Sequence, residues 1–182
     1  REKLVPLASG RVLEVGMGSG LNLSFYDAHR VTKVWGLEPS PEMSKMASAA
    51  VEAVAFDVEF VSAGGEQIPL DSESFDTVLM TFTLCTIPDA ERALREIARV
   101  LKQGGQLLFC EHGAAPDAGI RRWQNRIDPL WRRLAGGCHL NRDIPGLICR
   151  GGFEITRMDT MYIPGWRPAS FNYWGAAAKA RA

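Results

Sequence analysis

The sequence predicts an α/β fold in which helices cover both faces of an open, doubly wound, mostly parallel sheet that ends in an antiparallel hairpin. Two observations predict it. Five short apolar and β-branched runs alternate with segments of helical periodicity, and two further runs near the C-terminus are joined by a turn rich in proline and glycine. With 182 residues and no internal repeat, the chain is expected to form a single domain over residues 1–182.

Three strands are predicted in the first third of the chain. They cover residues 11–14, 33–38 and 58–62, where β-branched and other apolar residues cluster. The first strand continues into a glycine-rich turn at 16–20, which allows an abrupt change of direction. Apolar residues within 21–26 then predict the start of a helix.

A second helix is predicted after Ser40, a residue type that caps helix N-termini. Five residues at helical spacing predict its buried face: Met43, Met46, Ala47, Ala50 and Val51. Residues 75–81 form the fourth predicted strand, and the helix after it carries apolar residues inward up to Leu101. Gly104 and Gly105 are expected to end that helix.

The fifth strand is predicted over residues 106–111 and the closing hairpin over 153–161 and 171–177. Between them, residues 113–152 form an insertion with apolar residues at helical spacing, and the Asp-Pro pair at 128–129 predicts a break between two helices. Because arginines flank two tryptophans there, we expect a helical lid over an acceptor pocket, with an aromatic inner face. A helix lying on a membrane surface is the alternative.

The composition argues against several classes of function. Lys and Arg together number 21, as do Asp and Glu, so a broad electrostatic attraction to nucleic acid is not expected. No apolar run reaches the length of a membrane span, and a cytoplasmic protein is predicted. The cysteines are Cys85, Cys110, Cys138 and Cys149. Since they are scattered without a CxxC pair, we expect reduced thiols and neither a disulfide framework nor a metal site.

The loop after the first strand carries Glu14, Gly16, Gly18 and Gly20 in that order. Residues without side chains let the backbone lie flat against a ligand, although a tight turn alone also accounts for such a loop. The spacing is G-x-G-x-G, and Leu21 stands where a dinucleotide fingerprint has its third glycine. A nicotinamide oxidoreductase is therefore a less favoured interpretation.

Glu38 ends the second strand, at the interval where an acidic residue accepts hydrogen bonds from the ribose hydroxyls of a bound nucleoside. The alternative is an acidic cap for the following helix, a role for which Ser40 is already suited. Together, the glycine loop and Glu38 predict a cofactor that contains a nucleoside.

Four features together closely resemble the class I S-adenosylmethionine-dependent methyltransferases, which have a Rossmann-like fold. They are the E-x-G-x-G-x-G loop at 14–20, the acid Glu38, the stretch 64–70 ahead of the fourth strand, and the helix end at 101–105. The likeness spans the chain from about residue 11 to the final hairpin. A narrower likeness, to the methyltransferase-like thiol methyltransferases, is carried by segments 110–112, 128–131 and 137–140.

The resemblance implies S-adenosylmethionine as the methyl donor, S-adenosylhomocysteine as its product, and no metal. It assigns the methionyl part to the glycines, the amino end to Glu14, the ribose to Glu38 and the adenine to Gly65 and Glu66. Many relatives carry an aspartate where this chain has Gly64, so the adenine contact moves to backbone groups and Glu66. The implied cofactor-binding set is Glu14, Gly16, Met17, Gly18, Gly20, Asn22, Glu38, Pro39, Gly65, Glu66, Thr81 and Phe82.

Glu111 and His112 close the fifth strand and are predicted to position or deprotonate the methyl acceptor. For His112, the alternative is that it fixes the following loop. Cys138 beside His139 is not expected to act as nucleophile and base, because sequence neighbours rarely face each other.

The acceptor is expected to be a small molecule with a nucleophilic sulfur, nitrogen or oxygen, and a lipophilic thiol is favoured. Methylation of a lipid or quinone precursor is one alternative. A non-catalytic regulatory protein that binds S-adenosylmethionine is another. The residues leave the oligomeric state open.

Overall fold

The computed structural model describes residues 1–180, so the predicted domain boundary at 182 lies outside the described residues. Its strands are β1 (Gly10–Val15), β2 (Val31–Leu37), β3 (Asp57–Val61), β4 (Phe75–Thr81), β5 (Leu101–His112), β6 (Phe153–Tyr162) and β7 (Phe171–Lys179). They form one sheet in the order β3-β2-β1-β4-β5-β7-β6. The first five pair in parallel, whereas β7 runs antiparallel to β5 and β6. The predicted doubly wound sheet with a closing hairpin is confirmed.

The winding of the sheet reverses at β1. Strands β2 and β3 lie on one side of it, and β4 and β5 lie on the other. The connections that leave the carboxyl ends of β1 and β4 therefore diverge and open a crevice, which is where open α/β sheets bind their ligands.

The start of β5 differs from the prediction. The preceding helix, α3 (Ala90–Val100), ends one residue before β5 begins, so Gly104 and Gly105 lie inside the strand and do not end the helix. Gly104 has a φ of +78°, and a Cβ on Gly105 would approach the Leu101 side chain to 2.8 Å. Both glycines therefore allow the register shift by which β5 pairs irregularly with β4.

Helix α3 buries an apolar stripe against one face of the sheet. Asp89 caps it by accepting the Arg92 N–H at 2.9 Å, and the buried residues recur at helical spacing. They are Ala90, Ala93, Leu94, Ile97 and Val100. A second apolar cluster, which includes Leu23, Val34 and Leu79, covers the opposite face. The core therefore lies on both faces of the sheet and leaves the ends of the strands free for a site.

The chain after β2 forms two short helices, α1 (Pro41–Met46) and α2 (Ser48–Glu52). Ser40 caps α1 as predicted, because its Oγ accepts a backbone N–H of the first turn at 3.3 Å. The predicted buried face is right at Ala47 and wrong at Met46, which is 66% exposed.

The helix predicted at 21–26 is reduced to a single 3-10 turn, Leu23–Phe25. Asn22 and Tyr26 turn inward, and their side chains both donate hydrogen bonds to Glu14 on β1. Tyr26 already has extended backbone, with ψ at 140°. These bonds hold the segment against the sheet, so it does not continue as a helix.

The insertion folds into two helices, α4 (Ala118–Leu134) and α5 (Ile144–Arg150). The predicted break at Asp128 and Pro129 is wrong, because α4 continues through Pro129. Asp128 fixes this turn of the helix by accepting the Leu140 N–H at 2.8 Å. Within residues 1–180, no helix combines the length and the apolarity needed to cross a membrane.

Helix α4 packs on the domain through polar side chains. Its buried residues are Gln124 and Asp128, whereas Trp123, Leu130 and Leu134 are 60%, 62% and 77% exposed. Gln124 makes three hydrogen bonds to backbone groups at 2.9 to 3.0 Å. Because Trp123 faces solvent, it does not belong to the aromatic inner face that was predicted for the lid. The lid itself, over residues 113–152, stays a prediction.

Candidate active site

A cavity of about 310 Å³ lies at the carboxyl ends of β1, β2 and β4; we call it the switch-point cavity. Six residues of the predicted cofactor set line it: Gly16, Glu38, Pro39, Gly65, Glu66 and Phe82. Sequence reasoning missed the rest of the wall, which is Val15, Leu37, Ala63, Gly64, Thr83, Thr86, Ile87 and Pro88. Thr83 to Pro88 follow β4 and carry no motif, although their place after a central strand could have indicated them.

Glu38 is held at the rim of this cavity by two backbone N–H groups. Gly18 donates to Glu38 Oε2 and Ser40 donates to Glu38 Oε1, both at 3.0 Å. A carboxylate oxygen can accept a second hydrogen bond, so both oxygens still have capacity for ribose hydroxyls. The side chain is thus oriented before any ligand arrives.

Two glycines of the loop, Gly16 and Gly20, have different tasks. Gly16 lines the cavity with a φ of +70°, and a Cβ there would lie 2.4 Å from both branches of the Thr83 side chain. A Cβ on Gly20 would crowd Ala47 and Ala50, at 3.2 and 3.3 Å. Gly16 therefore serves the cavity, whereas Gly20 lets the loop pack against the helices after β2.

Glu14, Asn22 and Thr81 lie behind the loop, and none of them lines the cavity. Asn22 Nδ2 donates to Glu14 Oε1 and to Thr81 Oγ1 at 2.9 Å each, and the Tyr26 hydroxyl donates to Glu14 Oε2 at 2.7 Å. Burial raises the pKa of Glu14 to about 7 against these hydrogen bonds, which lower it. Met17 is also buried in the core. These side chains support the loop, and their contacts with the cofactor stay a prediction.

A second cavity, of about 780 Å³, lies beside β6 and β7; we call it the hairpin cavity. Phe82 lines both cavities. Its φ is +55°, its N–H donates to the Cys110 carbonyl at 2.8 Å, and its side chain is partly exposed. Asn172 lines the hairpin cavity with its Nδ2 bonded to the Ser170 carbonyl, while its buried Oδ1 has no hydrogen-bond partner within residues 1–180.

Glu111 is fully buried and lines neither cavity. Its carboxylate accepts the N–H of Thr83 at 3.0 Å and of Cys85 at 3.4 Å. Burial raises the pKa of Glu111 to about 7. Through these bonds the Glu111 carboxyl positions the turn after β4, and its contact with an acceptor stays a prediction.

His112 stacks with Phe82 at a centroid separation of 6.4 Å, beside the junction of the two cavities. Its Nε2 lies 2.9 Å from Cys138 Sγ. Although burial lowers it, the pKa of His112 is raised overall by the hydrogen bond to Cys138. The neighbouring Cys85 thiol and His112 lower the pKa of Cys138.

The fold thus joins Cys85, His112 and Cys138, a cluster that the cysteine spacing did not indicate. His139, the sequence neighbour of Cys138, turns the other way, and its Nδ1 lies 3.3 Å from Asp128. The two sequence neighbours do not face each other, as expected, but Cys138 pairs with a different histidine. Because 26 positions separate Cys138 from His112, no local motif could have shown this.

Comparisons with known proteins agree with this geometry. The profile of the family described as "Methyltransferase domain" matches residues 13–109. The chain is 32% identical over 173 residues to thiol S-methyltransferase TMT1A of Homo sapiens, covering 92% of this chain and 70% of that protein. It is 35% identical over 127 residues to phosphatidylethanolamine N-methyltransferase of Cereibacter sphaeroides, covering 65% and 62%.

The crystal structure of the YcgJ protein of Bacillus subtilis has the same fold, with a TM-score of 0.77 and 18% identity over 96% of this chain and 94% of that one. The profile match covers the glycine loop, Glu38, Glu66 and the turn after β4, which are the parts that build the switch-point cavity. The chain therefore belongs to the S-adenosylmethionine-dependent methyltransferases, with the class I architecture.

Proposed function

We propose that the protein transfers a methyl group from S-adenosylmethionine to the sulfur of a small lipophilic thiol. The observation that carries the proposal is the junction at Phe82, where a cavity with polar groups for a nucleoside meets a cavity with an apolar wall. A methyl donor in one cavity and an acceptor in the other would share this single point of contact.

The switch-point cavity has the features that the donor requires. Gly16 offers backbone without a side chain, Glu38 offers a carboxylate for the ribose, and Gly65 with Glu66 lines the part assigned to adenine by the family resemblance. When bound, S-adenosylmethionine supplies an electrophilic methyl group on a sulfonium. Because backbone N–H groups already orient Glu38, little rearrangement opposes binding.

The hairpin cavity suits an acceptor with an apolar body and one polar group. Leu4, Phe25, Ile163 and Trp174 contribute apolar wall, and Asn172 Oδ1 can accept one hydrogen bond. Charged side chains complete the lining: Arg1, Glu2, Lys3, Arg157 and Asp159. Methyl transfer needs the acceptor atom, the methyl carbon and the leaving sulfur in line. Holding them so can supply on the order of 7 to 11 kcal/mol of the barrier.

Coverage by the relatives favours sulfur over nitrogen as the acceptor atom. The similarity to the human thiol S-methyltransferase extends over 92% of this chain, against 65% for the phosphatidylethanolamine N-methyltransferase. The second relative nevertheless makes a phospholipid amine the alternative acceptor. The long acyl chains of a phospholipid would also contact the apolar residues of the hairpin cavity.

A panel of matched acceptors tests the proposal. Methyl-labelled S-adenosylmethionine is incubated with hexanethiol, hexylamine, hexanol and vesicles of phosphatidylethanolamine, with Glu38→Ala as the control. We expect a labelled thioether from hexanethiol and at least tenfold less from the control. Labelled phospholipid without thioether would replace the thiol by the lipid amine, and no product from any acceptor would refute the proposal.

A further inference from the structure

Cys85, His112 and Cys138 form a compact cluster of soft ligand atoms. The two Sγ atoms and a ring nitrogen of His112 all lie within 4.8 Å of one another. In a tetrahedral zinc site, ligand atoms bound at the usual Zn–S and Zn–N lengths lie about 3.6 to 3.8 Å apart. We propose that these three residues bind a Zn²⁺ ion.

The donor set selects the ion. Two thiolates and one imidazole favour zinc and other soft or borderline cations, whereas Mg²⁺ and Ca²⁺ require oxygen ligands. Zinc that only stabilises a fold has four protein ligands, and zinc that takes part in a reaction has three with an open fourth position. In the described part of the chain the cluster has three ligands, Cys85, His112 and Cys138, which corresponds to the open type.

The fold holds each ligand from a different element. Cys85 lies in the turn after β4, where Glu111 accepts its N–H and its carbonyl accepts the His139 N–H at 2.9 Å. His112 ends β5, and Cys138 follows α4. Ligands fixed by separate, well-bonded elements keep their geometry without the ion, which lowers the cost of binding it. The separation of Cys138 Sγ from His112 Nε2, now 2.9 Å, must widen by about 0.7 Å to match a zinc site.

The three ligands line neither cavity, but they lie next to residues that do. His112 stacks with Phe82, which lines both of them, and Thr83 and Thr86 on either side of Cys85 line the switch-point cavity. Trp131 adds a second observation: its buried Nε1–H stands next to Cys138 and favours the thiolate form that a metal ligand requires.

The next step rests on the proposed function: the fourth position takes the sulfur of the acceptor. A thiol that binds there displaces water and releases its proton to solvent, because coordination to a cation strongly favours the thiolate. The thiolate lone pair then attacks the methyl carbon while the bond from that carbon to the sulfonium sulfur breaks. The products are a thioether and neutral S-adenosylhomocysteine. In this arrangement His112 acts as a ligand and not as a base.

Cobalt substitution tests the ion site. The full chain is treated with a chelator under reducing conditions and titrated with Co²⁺, which gives thiolate charge-transfer and tetrahedral d–d absorption bands. We expect one Co²⁺ per wild-type chain, displaced by Zn²⁺, and loss of the bands in Cys85→Ser and Cys138→Ser. Cys149→Ser is the matched control and should keep them, because Cys149 is exposed on α5. Wild-type chain without these bands, or bands unchanged in both cluster variants, would overturn the site.

Folding and acceptor chemistry are separated by two more measurements. Far-UV circular dichroism and S-adenosylmethionine affinity should be unchanged in Cys85→Ser and Cys138→Ser. If these variants do not fold, the Co²⁺ titration of the wild-type chain still tests the ion site. Hexanethiol added to the Co²⁺ form should shift the charge-transfer bands, whereas hexanol should not. A missing shift while hexanethiol is still methylated would overturn coordination of the acceptor and leave the thiol proposal intact. Co²⁺ binding without methylation of any thiol would refute the proposed function and retain the ion site.

Discussion

Replacing Glu14 with glutamine should remove a large part of the pH dependence of stability. Burial raises the pKa of Glu14 from its ordinary 4.5 to about 7 in the folded chain. Between these values the folded state binds more protons than the unfolded state, so stability falls as the pH rises. A shift of this size corresponds to about 3 kcal/mol, of which roughly 2.5 kcal/mol is lost between pH 5 and pH 8.

Urea unfolding of wild type and Glu14→Gln, followed by circular dichroism at pH 5 and pH 8, measures this difference. The amide keeps an oxygen for the Asn22 Nδ2 donor and can donate to the Tyr26 hydroxyl, so the variant should fold and show the weaker pH dependence. Tyr26→Phe is the matched control: it removes a hydrogen bond that lowers the pKa of Glu14, and should move the loss to higher pH. An equal fall in wild type and Glu14→Gln would refute the reasoning.

Three further predictions concern the loop, the cavity and the insertion. Glu38→Ala should weaken S-adenosylmethionine binding by about 1.5 to 3 kcal/mol through lost charge-assisted hydrogen bonds; unchanged calorimetric affinity would contradict the ribose assignment. Gly16→Ala should cost at least about 2 kcal/mol in urea unfolding, because it combines a strained φ with the 2.4 Å approach to Thr83. Adding Thr83→Ala should recover part of that cost, and no recovery would rule out the clash. Gln124→Leu should cost about 3 kcal/mol and speed hydrogen exchange in α4, since three backbone groups lose a partner; a loss under about 0.5 kcal/mol would show that water replaces them.

Most of the sheet was predictable because buried parallel strands are short, continuous apolar runs. The strand at 75–81 has the predicted bounds, and the other strands begin or end within two residues of them, apart from the start of β5. The helix predicted at 21–26 failed because Asn22 and Tyr26 are recruited by a buried carboxyl that lies earlier in the chain. Pro129 did not break α4, since tertiary contacts of Asp128 outweigh one lost helical hydrogen bond.

The candidate site was predictable only in part. Local motifs predict the residues that line the cavity with their backbone or from the end of a strand, such as Gly16 and Glu38. Spacing does not reveal that the Glu14 side chain accepts hydrogen bonds from Asn22 and Tyr26 behind the loop, and its contact with the cofactor stays a prediction. The cluster of Cys85, His112 and Cys138 depends on long-range packing, and no local pattern carries that information.

The wall between the two cavities has a consequence for selectivity. At Phe82 that wall is an aromatic side chain on a main chain anchored by a hydrogen bond to β5. A smaller or larger side chain there would change the space in both cavities at once. A substitution of Phe82 is therefore expected to affect the acceptor and the methyl donor together.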